Sequence, residues 1–251
     1  MAMNWQERMD NILLKQWGER NMLDIKLGMN HLEIDYFIKI GGSLLSNIEG
    51  CKELSATLAL AGAHKRIVLF PGGGAIDNYI ESYNDKFQLS RSIFHQTTML
   101  AMDQTALLFS NYQVAIVPVD NLIHCKEVLD KGQVPILMPS RLVFGLDPFR
   151  YTSRCTSDSM TLYFAKILEV ENVVIMKSID GIMTDENKLI PLLSPAQLKE
   201  LDQNCVDEVF PLLCERVGKT PIIIINGLKG DVVKQLLLNG EIVCGTTIQS
   251  M

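Results

Sequence analysis

Lys39-Ile40-Gly41-Gly42-Ser43 closes an apolar run, Leu32 to Ile40, that reads as a β-strand. Lys39 places a cation where a buried strand would favour a hydrophobe. The two glycines that follow let main-chain N–H groups approach an anion closely, and Ser43 opens the next helical pattern. Backbone donors, a helix N-terminus and a lysine together make a phosphate site. Pro71-Gly72-Gly73-Gly74 repeats the arrangement after the next strand, Arg66 to Phe70. Glycine turns at the ends of two consecutive strands predict polyphosphate chemistry along one edge of a sheet.

Outward from these turns, short Val- and Ile-rich runs alternate with helical patterns. The strands are expected at 33–40, 66–70, 113–118, 134–138, 172–176 and 221–225. Their near-continuous hydrophobicity is that of strands covered on both faces. Helices are expected at 43–61, 74–85, 92–110, 121–131, 158–168, 206–217 and 229–238. The fold class is therefore α/β, a three-layer αβα sandwich around a mostly parallel central sheet. Pro139 to Thr156 reads as a loop or short hairpin crossing the active edge. Residues 1–31 form an N-terminal extension in which Trp5, Met9, Ile12, Leu13 and Trp17 fall at helical spacing. The main domain is expected over 32–251, with an acceptor half at 32–157 and a nucleotide half at 158–251.

The chain has 251 residues, 47% of them hydrophobic, enough for one large α/β domain or two small ones. Its net charge of −6, with no basic cluster, argues against nucleic acid as a partner. The six cysteines are scattered singly, without a C-x-x-C pair or zinc-ligand spacing, and read as reduced, packed thiols. Early acids (Glu7, Asp10) argue against a signal peptide, and no run is apolar enough to span a bilayer. A cytoplasmic protein without membrane partners is expected. The apolar face of helix 92–110 and the N-terminal extension point to a homo-oligomer.

Neither glycine turn matches the Walker A or G-x-G-x-x-G pattern. Either alone could simply make a tight turn; two of them, with Lys39 at the end of the first strand, favour phosphate binding. The phosphate-binding set is then Gly41, Gly42, Ser43, Gly72, Gly73 and Gly74, with Lys39 neutralising charge on the transferred group. Thr156-Ser157-Asp158-Ser159 precedes the amphipathic run Met160 to Leu168. Ser157 or Asp158 can cap that helix, and Asp158 can also orient Lys39 while Thr156 and Ser157 hold the acceptor; the two uses are compatible. Asp180-Gly181, with Thr184 beyond it, is an ordinary turn by composition. At the carboxyl edge of a sheet it can also hold a nucleotide. His95, placed in the first turn of helix 92–110, is either a structural histidine or an acceptor-phosphate ligand, and Arg91 is a second candidate.

In this order, K-I-G-G-S at 39–43, P-G-G-G at 71–74, T-S-D-S at 156–159 and D-G-I at 180–182 resemble the amino-acid kinase superfamily over roughly residues 35–248. The resemblance implies the amino-acid kinase (carbamate kinase-like) fold, ATP and Mg2+, and phosphate contacts at Lys39, Gly42 and Gly73 organised by Asp158. A narrower likeness lies in F-H-Q-T-T-M-L-A-M-D-Q at 94–104, L-M-P-S-R-L at 137–142, T-S-D-S-M-T-L-Y at 156–163 and V-D-E-V-F-P at 206–211. It is similar to the branch that phosphorylates [5-(aminomethyl)furan-3-yl]methyl phosphate in methanofuran biosynthesis, and it implies that His95 holds the acceptor phosphate. The carboxylate kinases of the superfamily carry a second, late lysine; the comparable stretch here, Val206 to Pro211, has none. That favours a phosphate acceptor and leaves Lys177 and Lys188 as sources of the second charge.

The expected reaction joins the γ-phosphoryl group of ATP to a small phosphate monoester. The rivals are a uridylate-, isopentenyl phosphate- or carboxylate-kinase activity on the same fold, and a non-catalytic nucleotide- or anion-binding protein.

Overall fold

The computed structural model describes residues 32–146 and 155–249; the expected N-terminal helix lies outside them. All six expected strands form: β1 (Tyr36–Ile40), β2 (Ile67–Pro71), β3 (Ile116–Val119), β4 (Val134–Leu137), β5 (Asn172–Lys177) and β7 (Ile222–Asn226). Two short strands, β6 (Leu192–Leu193) and β8 (Thr246–Ile248), extend the sheet. The order is β3-β4-β2-β1-β5-β7-β8-β6. The pairs from β3 to β7 are parallel, β8 runs antiparallel to β7, and β6 lies parallel to β8. β1, β2, β4 and the core of β5 are buried on both faces, which is why their sequences read as unbroken apolar runs.

The helices are α1 (Ile48–Gly62), α2 (Gly74–Phe87), α3 (Arg91–Ser110), α4 (Leu122–Leu129), α5 (Ser140–Leu146), α6 (Ser157–Ile167), α7 (Pro195–Glu200), α8 (Phe210–Val217) and α9 (Gly230–Lys234). Two hydrophobic cores flank the sheet. One joins Leu54 and Leu58 of α1 and Val233 of α9 to Ile38 and Ile40. The other joins Leu162 and Phe164 of α6 and Leu213 of α8 to Phe37, Val173 and Ile175. This is the expected three-layer sandwich.

Several boundaries differ from expectation, each for a local reason. The pattern at 43–61 is not one helix. Gly42–Ser46 is a 3-10 turn, and α1 starts afresh because the Asn47 side chain accepts a hydrogen bond from Gly50 N at 2.9 Å. The helix expected at 206–217 begins only at Phe210, because the Asp207 carboxylate accepts from Val209 N and Phe210 N and so caps the chain there. The helix at 229–238 passes into a π turn over Gln235–Asn239. Part of the expected loop at 139–156 is α5, anchored where Ser140 donates to Asp103 from both its N–H and its hydroxyl (3.0 and 2.5 Å). α7 lies outside the expected helices, although its start carries a sequence signal: Ser194 and Gln197 form a capping box around Pro195.

The chain fills the β2, β4 and β3 side of β1 and then crosses to β5 on the other side. The boundary of β1 and β5 is therefore a topological switch point, where open α/β sheets hold ligands beyond the carboxyl ends of their strands.

Candidate active site

Strand alternation places the charges. Phe37 and Lys39 of β1 face the α6 side of the sheet, while Ile38 and Ile40 face α1. In β5, Val173 and Ile175 face the α6 side, so Lys177 does too. The register pairs Lys39 with Ile175, which sets Lys177 two residues further along the neighbouring strand. Both ammonium groups thus emerge on one face at the switch point, above the N-terminus of α6. There Asp158 receives them: Lys39 Nζ lies 2.6 Å from Asp158 Oδ1, and Lys177 Nζ lies 2.7 Å from Asp158 Oδ2. The side chains of Lys39 and Asp158 are 6% and 7% exposed, that of Lys177 17%. Lys177 also donates to the Cys205 carbonyl. Burial alone would raise the Asp158 pKa, but the two ammoniums outweigh it and hold the carboxyl below the usual carboxylate range.

Of the two lysines left open by the sequence, Lys177 joins this centre, whereas Lys188 pairs with Glu186 on an exposed turn (2.7 Å). The signal for Lys177 is the one that marked Lys39: a lysine ending a buried β-branched strand.

The two glycine turns meet backbone to backbone. Gly41 N donates to Met176 O and Gly72 N to Ile40 O, both at 2.9 Å. A Cβ on Gly42 would stand 2.8 Å from Gly74 N, so only glycine permits this approach. Gly73 is the N-cap of α2, and Thr105 of α3 donates to its carbonyl at 3.0 Å. The Ser43 hydroxyl accepts from the Ser178 hydroxyl at 3.3 Å, which links the first turn to the loop after β5.

The α6 N-terminus is built differently from expectation. Its N-cap is Thr156, rather than Ser157 or Asp158, with the Thr156 hydroxyl accepting from Asp158 N at 3.3 Å. The cap is itself held by Asp207, a residue whose role the sequence did not reveal. Asp207 accepts from Thr156 N and Oγ1 (2.9 and 2.7 Å), Ser159 N and Oγ (3.2 and 2.5 Å), and Val209 N and Phe210 N (both 3.0 Å). It thereby joins the starts of α6 and α8. Burial pushes the Asp207 carboxyl up, and the hydroxyl donors pull it partway back. Only the D-x-V-F-P pattern ahead of a helix hinted at such a residue.

Beside this centre lies a cavity of about 110 Å³, whose lining includes Asp77, Glu81, Arg91, His95, Thr156 and Ser157. Thus the four proposed acceptor residues come together. His95 is not in the first turn of its helix. Ser90 accepts from Ile93 N at 3.4 Å and starts α3 at Arg91, so His95 lies a full turn in and Arg91 takes the N-terminal position. Asp77 and Glu81 were not foreseen; they are adjacent on α2 at i, i+4. A second cavity, of about 560 Å³, shares Gly73, Asp77 and Ser157 with the first.

On the far side of β5, Asp180 accepts from Asn226 Nδ2 (3.0 Å) and Lys229 Nζ (2.7 Å), and these donors hold its carboxyl below the usual range. Gly181 packs against Thr246, whose hydroxyl accepts from Ile182 N at 2.8 Å. Thr184 is occupied in its own turn: its N–H donates to Lys188 O (2.8 Å) and its hydroxyl accepts from Lys188 N (3.2 Å). Among the described residues, no group of three His, Cys, Asp or Glu converges as a metal cage.

The chain is 29% identical over 204 residues to the [5-(aminomethyl)furan-3-yl]methyl phosphate kinase of Methanocaldococcus jannaschii, covering 80% of this chain and 92% of that protein. A shorter match, 34% over 76 residues, joins 30% of the chain to 25% of the acetylglutamate kinase of Kosmotoga olearia. The fold is similar to that of uridylate kinase from Archaeoglobus fulgidus (TM-score 0.66, 20% identity, 86% of this chain and 100% of that one). It is also similar to UMP kinase from Bacillus anthracis (TM-score 0.68, 16% identity, 85% and 95%). The profile of the Amino acid kinase family matches residues 36–226, the stretch that carries both glycine turns, Asp158 and Asp180-Gly181. The chain belongs to the amino acid kinase family, and its chemistry is phosphoryl transfer.

Proposed function

We propose that the chain transfers the γ-phosphoryl group of ATP to a small phosphate monoester, [5-(aminomethyl)furan-3-yl]methyl phosphate, giving the diphosphate. The observation that carries this reading is the Lys39–Asp158–Lys177 arrangement at the switch point, with a cavity containing Arg91 and His95 beside it. The relative that shares 29% identity over 80% of the chain acts on this acceptor by name, which supports the choice.

An acceptor phosphate oxygen attacks the γ-phosphorus in line. The new P–O bond forms as the bond to the β,γ-bridging oxygen breaks, and ADP leaves with the electron pair. A phosphate monoester has its second pKa near ~6 and is already largely dianionic at pH 7, so no strong general base is required. Catalysis is then positioning and charge neutralisation. Lys39 and Lys177 face the transferred group, and Asp158 fixes the spacing of their ammoniums. The glycine-turn N–H groups cradle phosphate oxygens, and Asp180-Gly181 lies toward the nucleotide. Magnesium, the usual companion of ATP, would sit on the phosphates and keep water ligands rather than occupy a protein cage. The acceptor half, 32–157, supplies all of the cavity lining but Met160, and the nucleotide half, 158–251, supplies Asp158 and Asp180.

The test is ADP release across a panel of acceptors: the aminomethylfuran phosphate, UMP, isopentenyl phosphate and acetylglutamate. Preference for the furan phosphate is expected. Preference for another compound moves the acceptor, and ATP binding without release for any of them removes the kinase reading.

A further inference from the structure

The acceptor cavity is lined by basic and acidic side chains alike. Arg91 and His95 on α3 supply the basic pair, and Asp77 and Glu81 on α2 the acidic pair. Phosphate binding accounts for the first pair and makes the second anomalous, because a carboxylate beside a phosphate turn repels the ligand. Asp77 is packed hard against that turn: a Cβ on Gly73 would meet Asp77 Cβ at 2.3 Å. Its Oδ1 is buried and has no hydrogen-bond partner among the described residues. Burial is the main cause that raises the Asp77 pKa to about 6, and the neighbouring Glu81 carboxylate adds to it. A helix-capping role does not explain the residue, since Gly73 occupies the cap. An ionised carboxylate held without a matching donor is a group awaiting a cation.

We propose that Asp77 and Glu81 form an ammonium-recognising wall of the acceptor cavity, so that the enzyme selects phosphate monoesters that also carry a primary amine. The amine sits between the two carboxylates and the phosphate lies toward Arg91 and His95. The inference rests on the kinase reading above and adds to it the residues that choose the substrate. It also explains how one small cavity distinguishes a zwitterionic acceptor from simple phosphate esters: a compound without the amine leaves the buried Asp77 Oδ1 uncompensated, while Glu81, exposed to water, adds to the attraction for the amine. The i, i+4 spacing lets both carboxylates reach a single ammonium, whose three donors can serve them together.

The test measures binding by calorimetry and turnover by ADP release for two acceptors that differ at one position. They are [5-(aminomethyl)furan-3-yl]methyl phosphate and its 5-hydroxymethyl counterpart. Full-length wild-type protein is compared with Asp77→Asn and Glu81→Gln. The wild type should favour the amine by about tenfold or more in Kd. Asp77→Asn should bring the ratio close to one and Glu81→Gln should lower it, with the far-ultraviolet spectrum retained. Equal affinity for the two acceptors in the wild type, or an undiminished ratio in both variants, overturns the proposal whether or not turnover occurs. Magnesium chloride alone stabilising the wild type but not Asp77→Asn would also overturn it, by assigning the carboxylates to a metal. Amine-dependent binding without ADP release keeps the proposal and removes the kinase reading. Furan phosphate turnover without amine preference does the reverse.

Discussion

Asp158→Asn isolates the electrostatic design of the proposed phosphoryl-transfer centre. The substitution keeps the shape of the side chain and removes the one carboxylate between two ammoniums, at 2.6 Å from Lys39 and 2.7 Å from Lys177. At an effective dielectric of ~20, each contact has a gross Coulomb energy of ~6 kcal/mol. Desolvation of the buried charges cancels much of that, and measured losses on removing one partner of a buried pair run to about 3–5 kcal/mol. For a domain of this size the expected drop in Tm is roughly 6–20 °C. The sign of the pH dependence follows from the depressed carboxyl. Its contribution is fully present above the ordinary carboxylate pKa and is lost as pH falls through the lower folded value, so the gap between wild type and variant should close in strong acid. Polyphosphate is the other partner these ammoniums can take. ATP should therefore raise the Tm of Asp158→Asn by more than it raises that of the wild type, while kcat falls sharply. Differential scanning fluorimetry with and without ATP, between pH 3 and pH 8, measures all of this. A variant within about 1 kcal/mol of the wild type at pH 7, or one that ATP stabilises no better, would refute the reasoning.

Lys177→Met should lower kcat by about 10²–10³-fold, in the range of losing one donor to a transition-state charge, with a smaller change in ATP affinity; steady-state kinetics separate the two. Asp77→Asn should stabilise the ligand-free protein. A rise from 3.8 to about 6 corresponds at pH 7 to ~3 kcal/mol before screening and about 1–2 kcal/mol after it. Because the native state holds the proton between those values, the gain should be large at pH 7.5 and vanish near pH 4 in urea titrations. Asp207→Asn should cost about 2–4 kcal/mol, since an amide offers one oxygen where six donors now converge, and its own NH2 would face backbone N–H groups that cannot turn away. Gly42→Ala should displace the second glycine turn, costing about 1–3 kcal/mol by denaturation and weakening ATP binding in calorimetry, because the new Cβ meets Gly74 N at 2.8 Å.

What was legible follows from local physics. Continuous Val and Ile runs marked every long strand of the sheet, since a strand covered on both faces needs no polar side. Paired glycines and a strand-end lysine marked the edge where the two turns meet and where the phosphate site is proposed. The two- and three-residue strands β6 and β8 escaped notice: they are too short to show a period, and neighbouring strands define them. The expected cap at Ser157 or Asp158 moved to Thr156 because Asp207, fifty-one residues away, takes the Thr156 N–H.

The sequence by itself determined that this chain builds a mostly parallel sheet with two glycine turns and a lysine at one edge. Strand hydrophobicity and glycine turns are local properties, and their order along the chain carries the family. Tertiary structure alone decided which charges act together. Lys39 and Lys177 lie 138 positions apart in the chain and share a carboxylate only because the β1/β5 register and the alternation of side chains bring both to one face. Asp77 and Glu81 stand four positions apart on α2, and only the packing of α2 against α3 makes them lining residues of a cavity. Electrostatic partnership depends on distance and burial in space, and neither is written in spacing along the chain.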